Sequence, residues 1–267
     1  MASKSNPYTK PEASRELLEI KEAAAKVPVD IPALSISEIS DNYTKQEGTT
    51  SSALFVIVSG GIKRERLYFN RIADMSFFPR IRLMFVAEIR ETGENGLSPG
   101  KMYQEALNIK KSFVENSTTD KDDNISLVAD VDDFMAELLE IKPLCIAENL
   151  KLFISNSCFE VWLYYGQLSI KPTDFVIPTD STKISSAFKT YLGNKVVGGV
   201  NPINAIFDLE IAIKNAEANY EEDENGIPGL FSSNLYVLGK EILKLIQDEL
   251  VKEKESKASK KEQNTKK

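Results

Sequence analysis

No histidine occurs anywhere in the 267 residues. That absence removes every mechanism in which the chain itself supplies an imidazole, such as a Ser-His-Asp triad, an H-E-x-x-H zinc site or a His-metal nuclease core. Any catalysis must run on carboxylates, lysines, hydroxyls or a bound metal. Cysteine is nearly as scarce. Cys145 and Cys158 lack C-x-x-C spacing and read as buried thiols in a reducing compartment, not as a disulfide framework. No apolar run approaches the roughly 20 residues that span a bilayer, and the opening MASKSNPYTKPEASRELL has no apolar segment of a secretory signal. A cytoplasmic protein with no membrane association is therefore expected.

Charge is present but unevenly spread. Lys+Arg 33 against Asp+Glu 40 gives −7, yet Val251–Lys267 carries seven Lys and three Glu. Removing that local +4 leaves −11 over residues 1–250. Such a body does not have the footprint of a general phosphate-backbone binder. It is compatible with a carboxylate-lined cation site, and equally with plain solubility.

Apolar spacing places a helix over Pro11–Val27, ended by Pro28, and a polar connector over 28–50. From there short apolar runs alternate with helical stretches. Strands are expected at Ala53–Ser59, Arg82–Glu88, Ile125–Ala129 and Leu150–Ser155, with helices at Lys63–Met75, from Ser98-Pro99 onward, and at 132–141. Continuous apolar strands separated by helices imply a parallel sheet buried on both faces. A short helix through Phe159–Leu163 follows, then helices near 202–219 and 233–252. The resulting division is a leader at 1–50, an α/β core at 51–168, a helical portion at 169–252 and a disordered Lys-rich tail at 253–267.

In parallel α/β sheets, ligands bind beyond the carboxyl ends of the strands. The sharpest feature there is Asp130-x-Asp132, where alternate residues of an extended backbone point the same way and two carboxylates can share a hard cation such as Mg²⁺. The alternative is that Asp132 or Asp133 caps the next helix while Asp130 serves the turn. Gly60-Gly61, with Lys63, is either a phosphate cradle or a tight strand-to-helix turn. Glu88, Glu91 and Glu94 share a loop at the same rim, and Glu160 follows the fourth strand. Trp162, with Phe159 and Leu163, reads as core.

Three blocks of these residues resemble the RloB-like family, which includes the second component of AbiL-type abortive infection systems. Its first block, I-V-x-E-G-x-x-T-E-x-x-Y-F, is similar to Ile57–Phe69 here; its apolar strand ending in D-x-D is similar to Ile125–Asp132. The third, S-N-P-C-F-E-x-W-L, is similar to Ser155–Leu163, and Asn234–Leu238 lies near the family's final helix. The resemblance spans roughly residues 53–245.

It implies a toprim-like α/β fold, a parallel sheet flanked by helices with a C-terminal helical portion. It also implies metal-dependent phosphodiester hydrolysis in anti-phage defence beside an ATPase partner, with a homo-oligomer open; the acidic body, without an obvious basic groove, favours RNA over duplex DNA as substrate. Asp130 and Asp132 would hold Mg²⁺, Glu65 would serve a second metal, and Glu160 matches the acidic residue of the third block. The family's first glutamate falls on Gly60, Ser157 replaces its proline, and Tyr164-Tyr165-Gly166 stands near a histidine often found in relatives. The loss at Gly60 supports a different reading, a toprim scaffold that senses or docks without cleaving. Either way Gly60, Glu65, Asp130 and Asp132 should converge on one rim.

Overall fold

The computed structural model describes residues 54–61, 63–75, 82–86, 97–115, 124–132, 134–180 and 183–265. The expected leader helix and connector, and Glu88, Glu91 and Glu94, lie outside them. Within them the chain runs β1 (Leu54–Ser59), α1 (Arg64–Met75), β2 (Arg82–Val86), α2 (Pro99–Glu115), β3 (Asn124–Asp130), α3 (Met135–Ala147) and β4 (Lys151–Asn156). It continues with α4 (Glu160–Tyr165), α5 (Ile184–Lys195), a 3₁₀ turn (Ala205–Asp208), α6 (Leu209–Ala218), β5 (Ser232–Ser233) and α7 (Leu235–Thr265).

The sheet order is β2-β1-β3-β4-β5, with the first four strands parallel and β5 antiparallel to β4. This is the α/β arrangement that the alternation of apolar runs and helices implies. Side chains alternate across a strand, and here both faces are covered. Val56, Val58, Leu127, Ala129 and Ile154 pack against Met102, Ala106, Ile109 and Phe113 of α2 and Leu138, Ile141 and Cys145 of α3. Ile57, Val128 and Phe153 face Tyr68, Phe69 and Ile72 of α1, the whole of α4, and α6 and α7. Truncating a fully buried residue such as Leu127 to alanine costs about 2–5 kcal/mol by transfer and cavity formation.

α4 is short because every one of its six residues is buried. Its residues after Glu160 are apolar or aromatic on every side, as a helix inside a core is, and Trp162 lies at 2% exposure. α3 runs on through Pro143, beyond the expected end at 141. Burial of Leu138, Ile141 and Cys145 along one side outweighs the hydrogen bond that proline removes.

At the β4 edge, Asn234 acts like a strand residue. Its Oδ1 accepts from Ile154 N–H at 2.6 Å and its N–H donates to Ile154 O at 3.2 Å. α7 then runs antiparallel to β4, since Glu241 meets Lys151 at the strand's opening end at 2.8 Å. Its buried residues Leu235, Leu238, Ile242, Ile246 and Leu250 recur every three or four positions. The segment read as a disordered tail instead continues this helix to Thr265. It holds no Gly or Pro, is rich in Lys and Glu, and grows from a packed helix that has already borne the cost of nucleation.

Candidate functional site

Because β1 and β3 are neighbours, with Ser59 opposite Val128, the turn after β1 and the end of β3 share one rim. Asp130 ends β3 and Glu65 lies in the first turn of α1. Asp132 sits on the turn beyond Asp130, closed by a 2.7 Å bond from Phe134 N–H to Val131 O. α5 reaches the rim from the C-terminal portion. It is anchored by Phe188, whose ring stacks on Phe231 at 4.6 Å between centroids, while Phe175 packs edge-on against Phe188.

Asp132 does not cap α3. The residue ahead of that helix is Phe134, which makes no side-chain capping bond, and Asp133 lies outside the described residues. The Asp132 carboxylate turns to other donors. Its Oδ1 accepts from Ser157 Oγ at 3.1 Å, and its Oδ2 from Ser185 Oγ at 3.1 Å and Lys189 Nζ at 3.3 Å. Its backbone has φ 25°, a left-handed value that Asp tolerates better than most residues.

At the other two carboxyl groups burial outweighs such donors. Burial first, then the charges of Glu65 and Asp132, hold the Asp130 carboxyl well above its ordinary range, against the pull of Lys189 and a bond from Phe159 N–H. Burial also raises Glu65, against its own backbone N–H and the cations of Lys189 and Arg64. For Lys189, burial would depress the ammonium, but Asp132 and Asp130 outweigh it and the group stays above its ordinary value. Three carboxylates thus share one ammonium that lies among them and the Arg64 guanidinium at their margin.

The turn after β1 explains its glycines. A Cβ on Gly61 would overlap the Glu65 carboxyl group, which folds back over that Cα. A Cβ on Gly60 would overlap the backbone carbonyl oxygen of Leu97. The Gly61 N–H donates to Ser59 Oγ at 3.1 Å and Lys63 is exposed, so the pair forms a closed turn instead of an open phosphate cradle.

Glu160 is 5% exposed and engaged by the Arg64 guanidinium. It borders the cluster through Arg64, the neighbour of Glu65. Cys158 lies under the rim, where burial and then the Asp130 carboxylate push its thiol well up. Both cysteines are free and buried, as their spacing suggested. Sequence reading passed over Ser185 and Lys189. The only available signal was their i, i+4 spacing, which puts both on one face of a helix.

Among the described residues, no three His, Cys, Asp or Glu side chains stand close enough to hold a metal ion unaided. Mg²⁺ needs less than such a cage, since it takes one or two carboxylates and fills its octahedron with water and phosphate oxygens. Asp130, Asp132 and Glu65 are all-oxygen donors whose mutual repulsion a cation relieves. In chemistry, Asp130 and Asp132 are the one or two carboxylates such an ion takes.

Among the described residues, no helix is long and apolar enough to cross a membrane. Comparison with curated proteins and with solved structures finds no match. A sequence model of the family described as RloB-like protein matches residues 55–242, which contain β1 through the first turns of α7 and every residue of the rim. The chain belongs to the RloB-like family.

Proposed function

We propose that this rim is the centre of a metal-dependent phosphodiesterase, a toprim-type nuclease of bacterial anti-phage defence working in the cytoplasm beside an ATPase. The observation that carries the reading is the convergence of Glu65, from the first turn of α1, and Asp130 and Asp132, from the end of β3 and the turn beyond it, onto one rim. Glu65 and Asp132 both raise the Asp130 carboxyl, and among the described residues Lys189 is the ammonium that offsets them. Asp130 and Asp132 would hold Mg²⁺, with Glu65 assisting from beside them. Bound there, the ion would activate water or stabilise the departing oxygen at a phosphodiester. Burial keeps Asp130 and Glu65 poorly solvated, so an arriving cation meets carboxylates that water has not satisfied. Arg64, pinned to Glu160, adds positive charge beside Glu65. RNA is preferred to duplex DNA because the body outside the Lys-rich end is acidic and lacks a basic groove in sequence.

A second reading, a non-cleaving scaffold that senses or docks, is favoured by Gly60. The first glutamate of the family pattern falls at a position where even a methyl group meets the Leu97 carbonyl. Incubating the purified protein and Asp130→Ala with mixed single-stranded RNA and DNA, with and without Mg²⁺, separates the two. Mg²⁺-dependent cleavage by the wild type that disappears in the variant is the expected result. Equal inertness of both with every substrate, alone and with the ATPase added, favours the scaffold.

A further inference from the structure

Asp132 is an anion held by three donors from two separate parts of the chain. Ser157 lies just after β4 and is 6% exposed; Ser185 and Lys189 stand one turn apart on α5. Two hydroxyls and an ammonium, all within 3.3 Å of one carboxylate, form the donor set that a tetrahedral phosphoryl group requires. An outer-shell partner commonly orients a metal-binding carboxylate, but three donors, one of them an ammonium, compete with a cation for it. Each such bond withdraws an oxygen lone pair that a cation would otherwise use.

We infer that Ser157, Ser185 and Lys189 are a phosphoryl-binding cradle, occupied in the free protein by the Asp132 carboxylate as an internal stand-in for substrate phosphate. The inference rests on the phosphodiesterase reading and names the subsite that holds the phosphoryl group. Two states follow. Without a cation, Asp132 fills the cradle, and the nearby charges of Asp130 and Glu65 repel any incoming phosphate. With a divalent cation bound, Asp132 would turn toward Asp130 and leave Ser157, Ser185 and Lys189 free to donate to a phosphoryl group, with the negative field reduced. Cation and phosphate each favour the state the other needs, and linkage requires each to tighten the other by the same factor. The side chain alone has to turn, because the Asp132 backbone is fixed by its N–H bond to Ser157 O at 3.0 Å.

The test is binding of inorganic phosphate to the full chain, by calorimetry and by ³¹P line broadening, with and without Mg²⁺. Wild type should bind phosphate at least tenfold more tightly with saturating Mg²⁺ than without. Asp132→Ala empties the cradle and should bind phosphate without Mg²⁺. Asp132→Gly, suited to the φ of 25°, serves as the second variant if the alanine protein does not fold. Asp132→Asn removes the charge but keeps an occupant, and should gain less than either. Adding Lys189→Gln to Asp132→Ala should abolish the gain.

Phosphate binding by Asp132→Ala and Asp132→Gly no stronger than by wild type overturns the cradle, as does a gain indifferent to Lys189→Gln. An Asn variant that gains as much as Ala also overturns it, because charge and not occupancy would then be the cause. The two readings fail separately. Mg²⁺-dependent cleavage with no gain in the Asp132 variants removes the cradle and leaves the nuclease. A gain in the variants with no cleavage by wild type removes the nuclease and leaves an anion receptor.

Discussion

The Glu65 carboxyl group lies over the Cα of Gly61, in the space any side chain at residue 61 would fill. A helix residue four positions on has taken the volume next to β1, and glycine is what leaves it free. The carboxylate at this end of the rim thus arrives from α1, while the strand-to-helix turn contributes only backbone.

Gly61→Ala should therefore behave like Glu65→Gln. The obstructing atoms are the far end of a flexible side chain, so the added methyl moves Glu65 at little cost to the fold. Stability should change by less than about 1 kcal/mol, with lower chain entropy in the unfolded state offsetting part of the clash. Mn²⁺ affinity, read by calorimetry, should fall about 10-fold or more in both variants. A Gly61→Ala protein with wild-type Mn²⁺ affinity would show that Glu65 takes no part.

Gly60→Ala should do the opposite. Its obstacle is the Leu97 backbone carbonyl, which cannot rotate away, so the segment ahead of α2 must shift. A loss of about 1–3 kcal/mol is expected, lowering Tm by roughly 2–4 °C per kcal/mol. Gly60→Glu should be no milder. Restoring the family's glutamate in this background therefore needs a second change near Leu97, and unfolding curves of the two variants check the point.

Asp130→Asn should stabilise the cation-free protein. The native pKa of Asp130 is raised above its unfolded value of about 3.9. The folded state then binds more protons, and the stability associated with this group is complete below that value and lost as pH climbs through the native pKa. Urea unfolding should show the asparagine variant gaining on wild type from about pH 4 upward. The advantage should grow with pH and shrink when Mg²⁺ is added. A pH-independent difference would mean that Asp130 keeps an ordinary pKa.

Arg64 and Glu160 should couple. The Glu160 side chain is 7% exposed and Arg64 38%, so removing Arg64 strands a buried charge, whereas removing Glu160 leaves a guanidinium that water still reaches. Arg64→Ala should cost about 1–3 kcal/mol, below the full cost of breaking a buried pair because one partner is half-exposed. Arg64→Ala/Glu160→Gln should recover part of it. A double-mutant cycle with no interaction energy would remove the pair from the account of the site.

Neither thiol should react in the native state. Burial raises Cys158 well up and Cys145 to about 11, so thiolate is scarce and access poor. Labelling with a disulfide reagent should count no fast thiols in the folded protein and two in urea. One fast thiol in the native protein would show that the core under the rim opens.

Much of this was legible before any coordinates. Continuous apolar runs such as Ala53–Ser59 and Ile125–Ala129 mark strands, and Ser98-Pro99 marks a helix start by its own chemistry. Asp130 was readable because it ends such a run. Lys189 was not, because Ser185 and Lys189 look like the polar face of an ordinary helix until Phe188 is seen to lock against Phe231. The helix beyond Leu250 was misread for a related reason. A polar segment has no periodicity of its own to display, and its helicity is inherited from the packed turns before it.

By itself the sequence determined that no imidazole takes part, that the sheet is parallel and covered on both faces, and that carboxylates gather near its carboxyl ends. Those are properties of composition and local pattern. Only the tertiary structure decided that Asp132 faces Ser157, Ser185 and Lys189 instead of capping α3, that Glu65 fills the space over Gly61, and that Gly60 has no room for a side chain. Each of these depends on which distant segment is packed alongside, and a contact between residues dozens of positions apart leaves no mark on the spacing of either.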